Sequence, residues 1–597
     1  MTCVVGIQDG HNASACLFSD GKIQYAIQEE RLTGVKNQSG LPENAIRACL
    51  TYRRLEPRDI STVAFASLRH TPARHRGVDQ RQVFLREMSP WGRFRRLALW
   101  YPYYRCNARL GWQERLACLR RLGLATERIR RFDHHLCHAA TAYFGTPIDT
   151  KVAHLVVTAD GYGDLESGTI HVAQHDTLRK LASTGFGDSL GTLYGLVTGA
   201  MGFVPLEHEY KLMGMAPHAS PDDSRPLVEE FRKILDFDEQ RLCFRRRTLL
   251  PTIALSRRVL ELIKGQRFDH VCAALQDYTE ELLVRLVGAA IRRTGIRRVL
   301  CAGGVFMNVK ANQRLAALPE IEHFAVFPSP GDETLAIGAC YLAHAERRPD
   351  GGGIEPLGAF YLGDDVTEEA CREALGSADH ELRRYDDVER EIAQLLAAGK
   401  IVARCKGRME FGARALGNRS ILADPSDQDV VRIINRMIKK RDFWMPFAPV
   451  VRRERAHEYF DNPKDLPSPY MMLAFDTKDN FGDLIAAVHN ADLTARPQIL
   501  EPEHNPDLDR LLRCFEDATG RGALLNTSFN LHGRPIVRGP KEALAVFGES
   551  GLEFLNIGQY VVAKRHLGIR LRDVARRPPA HAVSSRPVPA VLDRKAG

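Results

Sequence analysis

Three histidines fall within one turn and a half of sequence in Asp133-His134-His135-Leu136-Cys137-His138. The run that follows, Ala139-Ala140-Thr141-Ala142-Tyr143, predicts a helix, which places His134 and His138 at i and i+4 on one face. Two imidazoles at that spacing can share a single metal ion, and His135 then points away from that face. Carboxylates at turns could complete such a site. Asp160 follows an apolar strand over His154–Thr158, and Asp332 sits in Ser329-Pro330-Gly331-Asp332-Glu333. Two histidines and one or two aspartates with an open position suit ferrous iron, manganese or zinc, without separating them. Each residue also has a plainer reading: buried structural histidines, a turn aspartate at 160, and at 332 an N-cap for a helix over Glu333–Ala345.

These residues need elements to hold them. Cys3–Ile7, Ser14–Phe18 and Lys22–Gln28 read as strands, with an Asp20-Gly21 hairpin turn between the last two. A similar unit returns as the strand His154–Thr158, an Asp160-Gly161 turn and a strand over Gly168–Gln174. Two such units predict an internal duplication, of the kind that builds the actin-like ATPase fold. Helical periodicity covers Ser256–Thr294. The strand Val299-Leu300 then opens into Gly303-Gly304, where a glycine pair lets backbone N–H groups approach a nucleotide, or simply makes a tight turn. The glycine- and proline-rich stretch Arg347–Leu357 marks a boundary. A helix over Val388–Ala398 and a strand over Ile401–Arg404 open a second module. The reading is therefore α/β, with a first domain over 1–346, a linker over 347–358, a second domain over 359–567, and a tail over 568–597 too polar to bury a core.

Composition narrows the class. A chain of 597 residues with 44% hydrophobic and 26% charged residues is long enough for two globular domains. No run approaches a membrane span, and the amino-terminal MTCVVGIQDGHNAS does not read as an export signal. The 13 cysteines are scattered without a C-x-x-C pair, which fits reduced thiols in the cytoplasm. A net charge of +9 is mild for this length; it suits small phosphorylated substrates and does not call for nucleic acid. The basic-aromatic stretch His70–Arg131, with Trp91, Trp100, Tyr101, Tyr103 and Tyr104, could bind RNA or a membrane surface. Lacking helical periodicity, it reads better as an insertion packed on the surface.

The segments GIQDGHNASACLF, EERLTGVKNQSGLPENAI, DHHLCHAA, TADGYGD, EYKLMGMAPH and CAGGVFMNVKANQRL together resemble the carbamoyltransferases of the NodU/CmcH/TobZ type. The resemblance continues through GRMEFGARALGNRSILADP, IKKRDFWMPFAPVV, DLTARPQ and LLNTSFNLHGRPIV, so it covers nearly the whole chain in order. It implies a duplicated actin-like (ASKHA) amino-terminal domain followed by a YrdC-like α/β domain. It also implies a two-step reaction. Carbamoyl phosphate and ATP, with Mg, give carbamoyl adenylate in the second domain. The carbamoyl group then passes to a hydroxyl of a small molecule in the first, as in antibiotic or nodulation-factor biosynthesis.

The family's iron ligands fall on His134, His138, Asp160 and Asp332, and its transfer-site residues on His11 and Lys36. His11 is a candidate general base for the incoming hydroxyl. Gly303, Gly304 and Asn308 are expected to face the nucleotide, with Glu209 and Lys211 either joining them or forming an internal salt bridge. In the second domain, Lys406, Arg408, Arg414, Arg419, Lys439, Arg441 and Arg496 offer cations for densely anionic substrates, and arginine fixes phosphate oxygens bidentately. Ser528 and Asn530 offer hydroxyl and amide groups beside them.

Some positions depart from the family pattern. Met445 stands where an arginine is common, Ala413 where proline is usual, and Ala491-Asp492-Leu493-Thr494 where Asp-Gly-Thr is frequent. Lys439, Lys440 or Arg441 can compensate for the missing arginine. Two other functions compete. One is a threonylcarbamoyl transferase acting on tRNA, which tight, salt-sensitive tRNA binding would mark. The other is an actin-like kinase or ATPase, which a bound transition metal would count against.

Overall fold

The computed structural model describes residues 3–69, 109–347, 353–376, 380–439 and 441–564. The tail 568–597, most of the basic-aromatic stretch and part of the linker lie outside them. Of that stretch, the helical residues 109–121 pack on the first sheet, with Leu119 and Cys118 buried and Trp112 edge-on to Phe65.

The first half contains two five-stranded sheets of the same design. In one, β1 (Cys3–Gln8), β2 (Ser14–Ser19) and β3 (Lys22–Gln28) form an antiparallel meander, and β4 (Thr62–Phe65) and β5 (Ile129–Arg131) extend it parallel to β1, in the order β3-β2-β1-β4-β5. In the other, β6 (His154–Gly163), β7 (Glu166–Gln174) and β8 (Thr177–Gly185) form the meander. A hairpin of β9 (Leu235–Asp238) and β10 (Cys243–Arg246) intervenes. Then β11 (Arg298–Ala302) and β12 (His323–Val326) run parallel to β6, giving the order β12-β11-β6-β7-β8. The helices His134–Gly145 and Leu335–Ala345 pack between the sheets; both are apolar nearly all round, as a doubly covered helix must be. The helical periodicity expected over Ser256–Thr294 resolves into two helices, Ser256–Ile263 and Phe268–Thr294, broken at Gly265 with φ +77°.

Two turn expectations are corrected. Asp160-Gly161 is not the turn of its hairpin: β6 runs on to Gly163, and the turn is Asp164-Leu165, both left-handed with φ of +48° and +79°, as a two-residue hairpin turn of the primed type requires. The extra length is taken up in a bulge. Ala159 pairs with Gly168 and Gly163 with Glu166, so Asp160, Gly161 and Tyr162 face only Ser167 across the ladder. Asp332 is likewise no N-cap. It begins a 3-10 turn, Asp332–Thr334, ahead of the helix Leu335–Ala345, which leaves its carboxylate free to point elsewhere.

The second half is built on an eight-stranded mixed sheet whose central strands are Val402–Cys405, Arg419–Ala423 and Ala523–Ser528. The helix Val388–Ala397 covers it much as the sequence predicts. The two halves share core. Val451, Tyr459, Phe460 and Ile499 join the cluster around Leu155, Leu275 and Val299, and Leu357, Phe360 and Phe411 join the cluster around Tyr143 and Phe327. Of the expected linker, Glu355 and Leu357 donate backbone hydrogen bonds to Gly21 and Gly145, so this part lies against the first half. All twelve cysteines among the described residues are free. No helix among the described residues is long and apolar enough to cross a membrane.

Candidate active site

A cavity of about 2060 Å³ lies between the halves, and both contribute to its walls. At one end the bulge of β6, the first turn of the helix His134–Gly145 and the Gly331–Glu333 turn converge. One ligand atom from each of His134, His138, Asp160 and Asp332 lies within 4.8 Å of the others. The His134 Nε2 atom is 3.4 Å from Asp160 Oδ2 and 3.5 Å from Asp332 Oδ1, and His138 Nε2 is 3.5 Å from the same Asp332 oxygen.

The surroundings aim these groups. Asp133 caps the helix by accepting from the Leu136 N–H at 2.9 Å. A side chain on Gly163 would collide with the His134 ring. The Gly304 N–H donates to Asp160 Oδ1 at 3.0 Å, and Gly303, at φ +102°, brings that backbone against Ala159. His135 points away as expected, its Nδ1 2.9 Å from Thr158 Oγ1.

Burial pushes the His134 imidazole down, but Asp332, Asp160 and Asp164 overcome it and hold the ring up at about 9. Burial pushes the Asp160 carboxyl up, and His134 and His138 reverse that, leaving it well below the usual carboxylate range. Both His138 ring nitrogens are buried and, among the described residues, lack a hydrogen-bond partner. A buried imidazole that makes no hydrogen bond but lies beside two carboxylates fits a metal ligand set, and this donor chemistry accommodates iron, manganese or zinc.

Sequence reasoning missed Asp164. One of its oxygens accepts from the His134 N–H at 3.0 Å and the Leu68 N–H at 2.8 Å; the other accepts from Ser67 Oγ at 3.0 Å and the Arg69 N–H at 2.9 Å. It ties the histidine helix to the end of the first sheet, and only its place in Asp160-Gly-Tyr-Gly-Asp164 hinted at a role.

The same cavity also has a cationic wall. Arg414, Lys439, Arg441 and Arg496 line it, with Ser528 and Asn530. Lys439 Nζ donates to Ser528 Oγ at 3.0 Å and Asn530 Oδ1 at 2.7 Å, and Arg441 donates to Thr527 Oγ1 at 3.0 Å. Among the described residues, none of the four has a carboxylate within ion-pair distance. Burial, and then Arg441, lower Arg414 to about 10. Burial and neighbouring cations likewise lower Lys439 and Arg496, and burial lowers Arg441. Four converging cations without counter-charges form a site for a polyanion.

The remaining predicted residues divide. His11, Lys36, Glu209, Gly304 and Asn308 line the cavity. Gln8 links His11 to the metal-site end, donating to the His11 carbonyl at 3.3 Å and to Asp332 Oδ2 at 3.5 Å. Lys36 pairs with Glu207. Burial raises Glu209 to about 7 while it accepts from the Leu206 N–H. Asn308 exchanges hydrogen bonds with Gln276 and caps the helix Val309–Ala316.

Five residues lie outside the cavity lining. Gly303 packs on Ala159 as described, and Lys211 pairs with Asp442 at 3.0 Å, not with Glu209. Lys406 pairs with Glu389 and Asp507, and Arg408 donates to the Gln24, Leu362 and Gly363 carbonyls. Arg419 is fully buried and donates to the carbonyls of Asp364, Lys406, Gly407, Asn418 and Arg538. Backbone carbonyls and carboxylates occupy the donors of these three cations. Met445, in the place of the family's arginine, lines the cavity beside Gly214.

A His₂Asp₂ cluster that could hold a metal and a set of cations that could hold a polyanion share the walls of one cavity. The family described as "Carbamoyltransferase N-terminus" matches residues 102–341, and "Carbamoyltransferase C-terminus" matches residues 393–564. Nodulation protein NolNO of Sinorhizobium fredii is 31% identical over 93% of this chain and 79% of its own length. Nodulation protein NolO of Bradyrhizobium diazoefficiens is 32% identical over 72% of this chain and 79% of its own length. An uncharacterized protein of Synechocystis is 31% identical over 94% and 97%. The chain belongs to the carbamoyltransferase family, and the reaction class is carbamoyl transfer. Among solved structures, (R)-2-hydroxyglutaryl-CoA dehydratase component A of Acidaminococcus fermentans aligns over 58% of this chain and 99% of its own, at 14% identity and a TM-score of 0.32, too low to establish a common fold.

Proposed function

We propose that this chain is an ATP-dependent O-carbamoyltransferase that makes carbamoyl adenylate at the cationic end of the cavity and uses it at the His134 end. Carbamoyl phosphate, ATP and water give carbamoyl adenylate, phosphate and pyrophosphate. A hydroxyl of a small molecule, a sugar or other natural product, then attacks the carbamoyl carbon; the bond to AMP breaks, and the hydroxyl proton leaves. The observation that carries this reading is the continuity of one cavity lined by a His₂Asp₂ cluster and by four cations that, among the described residues, have no carboxylate partner.

In this reading Arg414, Lys439, Arg441 and Arg496 bind and orient the phosphoryl groups, Mg-bound ATP among them, and their desolvated charges act more strongly than in water. Ser528 and Asn530 hold the Lys439 ammonium toward them. Glu209, Gly304 and Asn308 line the nucleotide's path, and Lys36 and its partner Glu207 stand on the same wall. His134, His138, Asp160 and Asp332 would hold iron, with manganese and zinc as the other candidates, and such an ion supplies Lewis acidity toward an oxygen ligand. His11, anchored through Gln8 to Asp332, takes the proton of the attacking hydroxyl. In the same reading the second domain is YrdC-like and the first is a duplicated actin-like domain; the repeated sheet order of the first half supports the duplication.

The test is anaerobic incubation of iron-loaded protein with ATP and carbamoyl phosphate, following pyrophosphate release and carbamoyl adenylate by mass spectrometry. Adenylate formation that survives His134→Ala but not Arg414→Ala is expected. Pyrophosphate release that does not depend on carbamoyl phosphate would sink the proposal.

A further inference from the structure

Arg414 makes no ion pair among the described residues, yet its backbone is held with unusual care, and by the other half of the molecule. Ser329 is buried at φ +52°, a left-handed conformation that serine rarely adopts. Its hydroxyl donates to Glu333 and accepts from the Ala413 N–H at 2.9 Å. Gly412, at φ +92°, passes so near that an added Cβ would lie 2.5 Å from Ser329 Cβ and Oγ. From the other side Arg31, 3% exposed, donates to the Gly412 carbonyl at 2.8 Å and to that of Ile536 at 3.4 Å, anchored by Gln28 and Glu30.

We propose that Ser329 and Arg31 are positioning residues for the polyanion site: they fix the Gly412–Ala413 backbone from the amino-terminal half and thereby place the Arg414 guanidinium. The cation site is then complete only with both halves present. The loop that carries Asp332 at the metal end carries, three residues earlier, the hydroxyl that sets Arg414 at the anion end. This rests on the reading of the four cations as a phosphoryl site. A side chain with no ion-pair partner is held by its backbone, so a loosened backbone lets it drift from the pose the ligand needs.

The test uses the full-length chain and inorganic pyrophosphate as probe, with affinity measured by calorimetry. Ser329→Gly deletes the hydroxyl while relieving the left-handed backbone; Ser329→Ala deletes it without relief; Arg31→Lys keeps the charge but loses the forked donor. All three are expected to weaken pyrophosphate binding about fivefold to tenfold, the scale of one lost hydrogen bond, with metal content unchanged. Ser329→Gly is expected to melt no lower than wild type. Wild-type affinity in Ser329→Gly overturns the proposal, and so does a loss of affinity that merely tracks a lower melting temperature. A wild-type chain that binds pyrophosphate but forms no adenylate refutes the two-step reaction and leaves the positioning result standing. A wild-type chain that binds no pyrophosphate overturns both.

Discussion

Replacing Arg414 by methionine should stabilise the empty protein while disabling it. Burial and Arg441 lower this guanidinium from 12.5 to about 10, and each unit of displacement corresponds to about 1.4 kcal/mol against the charged form. The product, about 3 kcal/mol, is an upper figure, because Arg414 is only half-buried and lines the cavity, where solvent screens it. An expected gain of about 1–2 kcal/mol remains. The sign holds at neutral pH: the group is charged in both the folded and the unfolded chain below about pH 10, so the whole penalty is present there. Methionine fills most of the same space without a charge, so no large void opens. The assay is thermal unfolding at pH 7.5 with and without pyrophosphate. Wild type should gain about 2.7 kcal/mol at a ligand concentration one hundred times its Kd, and Arg414→Met should gain much less from a higher starting point. A variant that melts below wild type without ligand, with an undiminished response to pyrophosphate, would refute the claim that Arg414 is an unsatisfied cation awaiting an anion.

Metal binding should tighten as pH rises toward 9, by about tenfold per pH unit while His134 is protonated, because Asp332 and Asp160 hold a proton on it that a metal must displace. Calorimetry of metal binding in buffers of different ionisation enthalpy should report proton release near pH 7, and an affinity independent of pH between 6 and 9 would contradict this. Glu209→Gln should separate from wild type as pH rises. The wild-type carboxyl, raised by burial from 4.5 to about 7, carries a folding penalty that grows between those values and is complete above about 7. Urea unfolding at pH 5 and pH 8 should therefore show the variant gaining more, relative to wild type, at the higher pH.

How much of this was legible in the sequence depended on whether a residue's role follows from local spacing. His134 and His138 did, because the helical period puts them on one face and the alanine run declares the helix. The hairpin strands did also, and Asp20-Gly21 marked a true turn. Asp160-Gly161 misled because the same dipeptide can sit in a bulge. There the register slips by two residues, and what decides between bulge and turn is which residue of the returning strand, Gly168 or Glu166, each position pairs with, which a dipeptide does not encode.

The cations show the same limit more sharply. Lys406, Arg408, Arg414 and Arg419 lie within fourteen residues and look alike in sequence, yet only Arg414 reaches the cavity. The other three face carbonyls or carboxylates supplied by remote segments, such as Asp364 and Arg538 around Arg419 and Gln24 around Arg408. The family resemblance named the ligand set but not this sorting, since a motif records which residues recur and not where their donors point. The roles of Ser329 and Asp164 were hidden for a related reason. Each acts through hydrogen bonds to the backbone of a distant segment, Ala413 in one case and Leu68, Arg69 and His134 in the other, and no side-chain pattern at either end records them. What the candidate site takes from the fold is therefore least visible where it runs through hydrogen bonds between distant segments: in a hydroxyl and a carboxylate that hold the backbone beside the cavity.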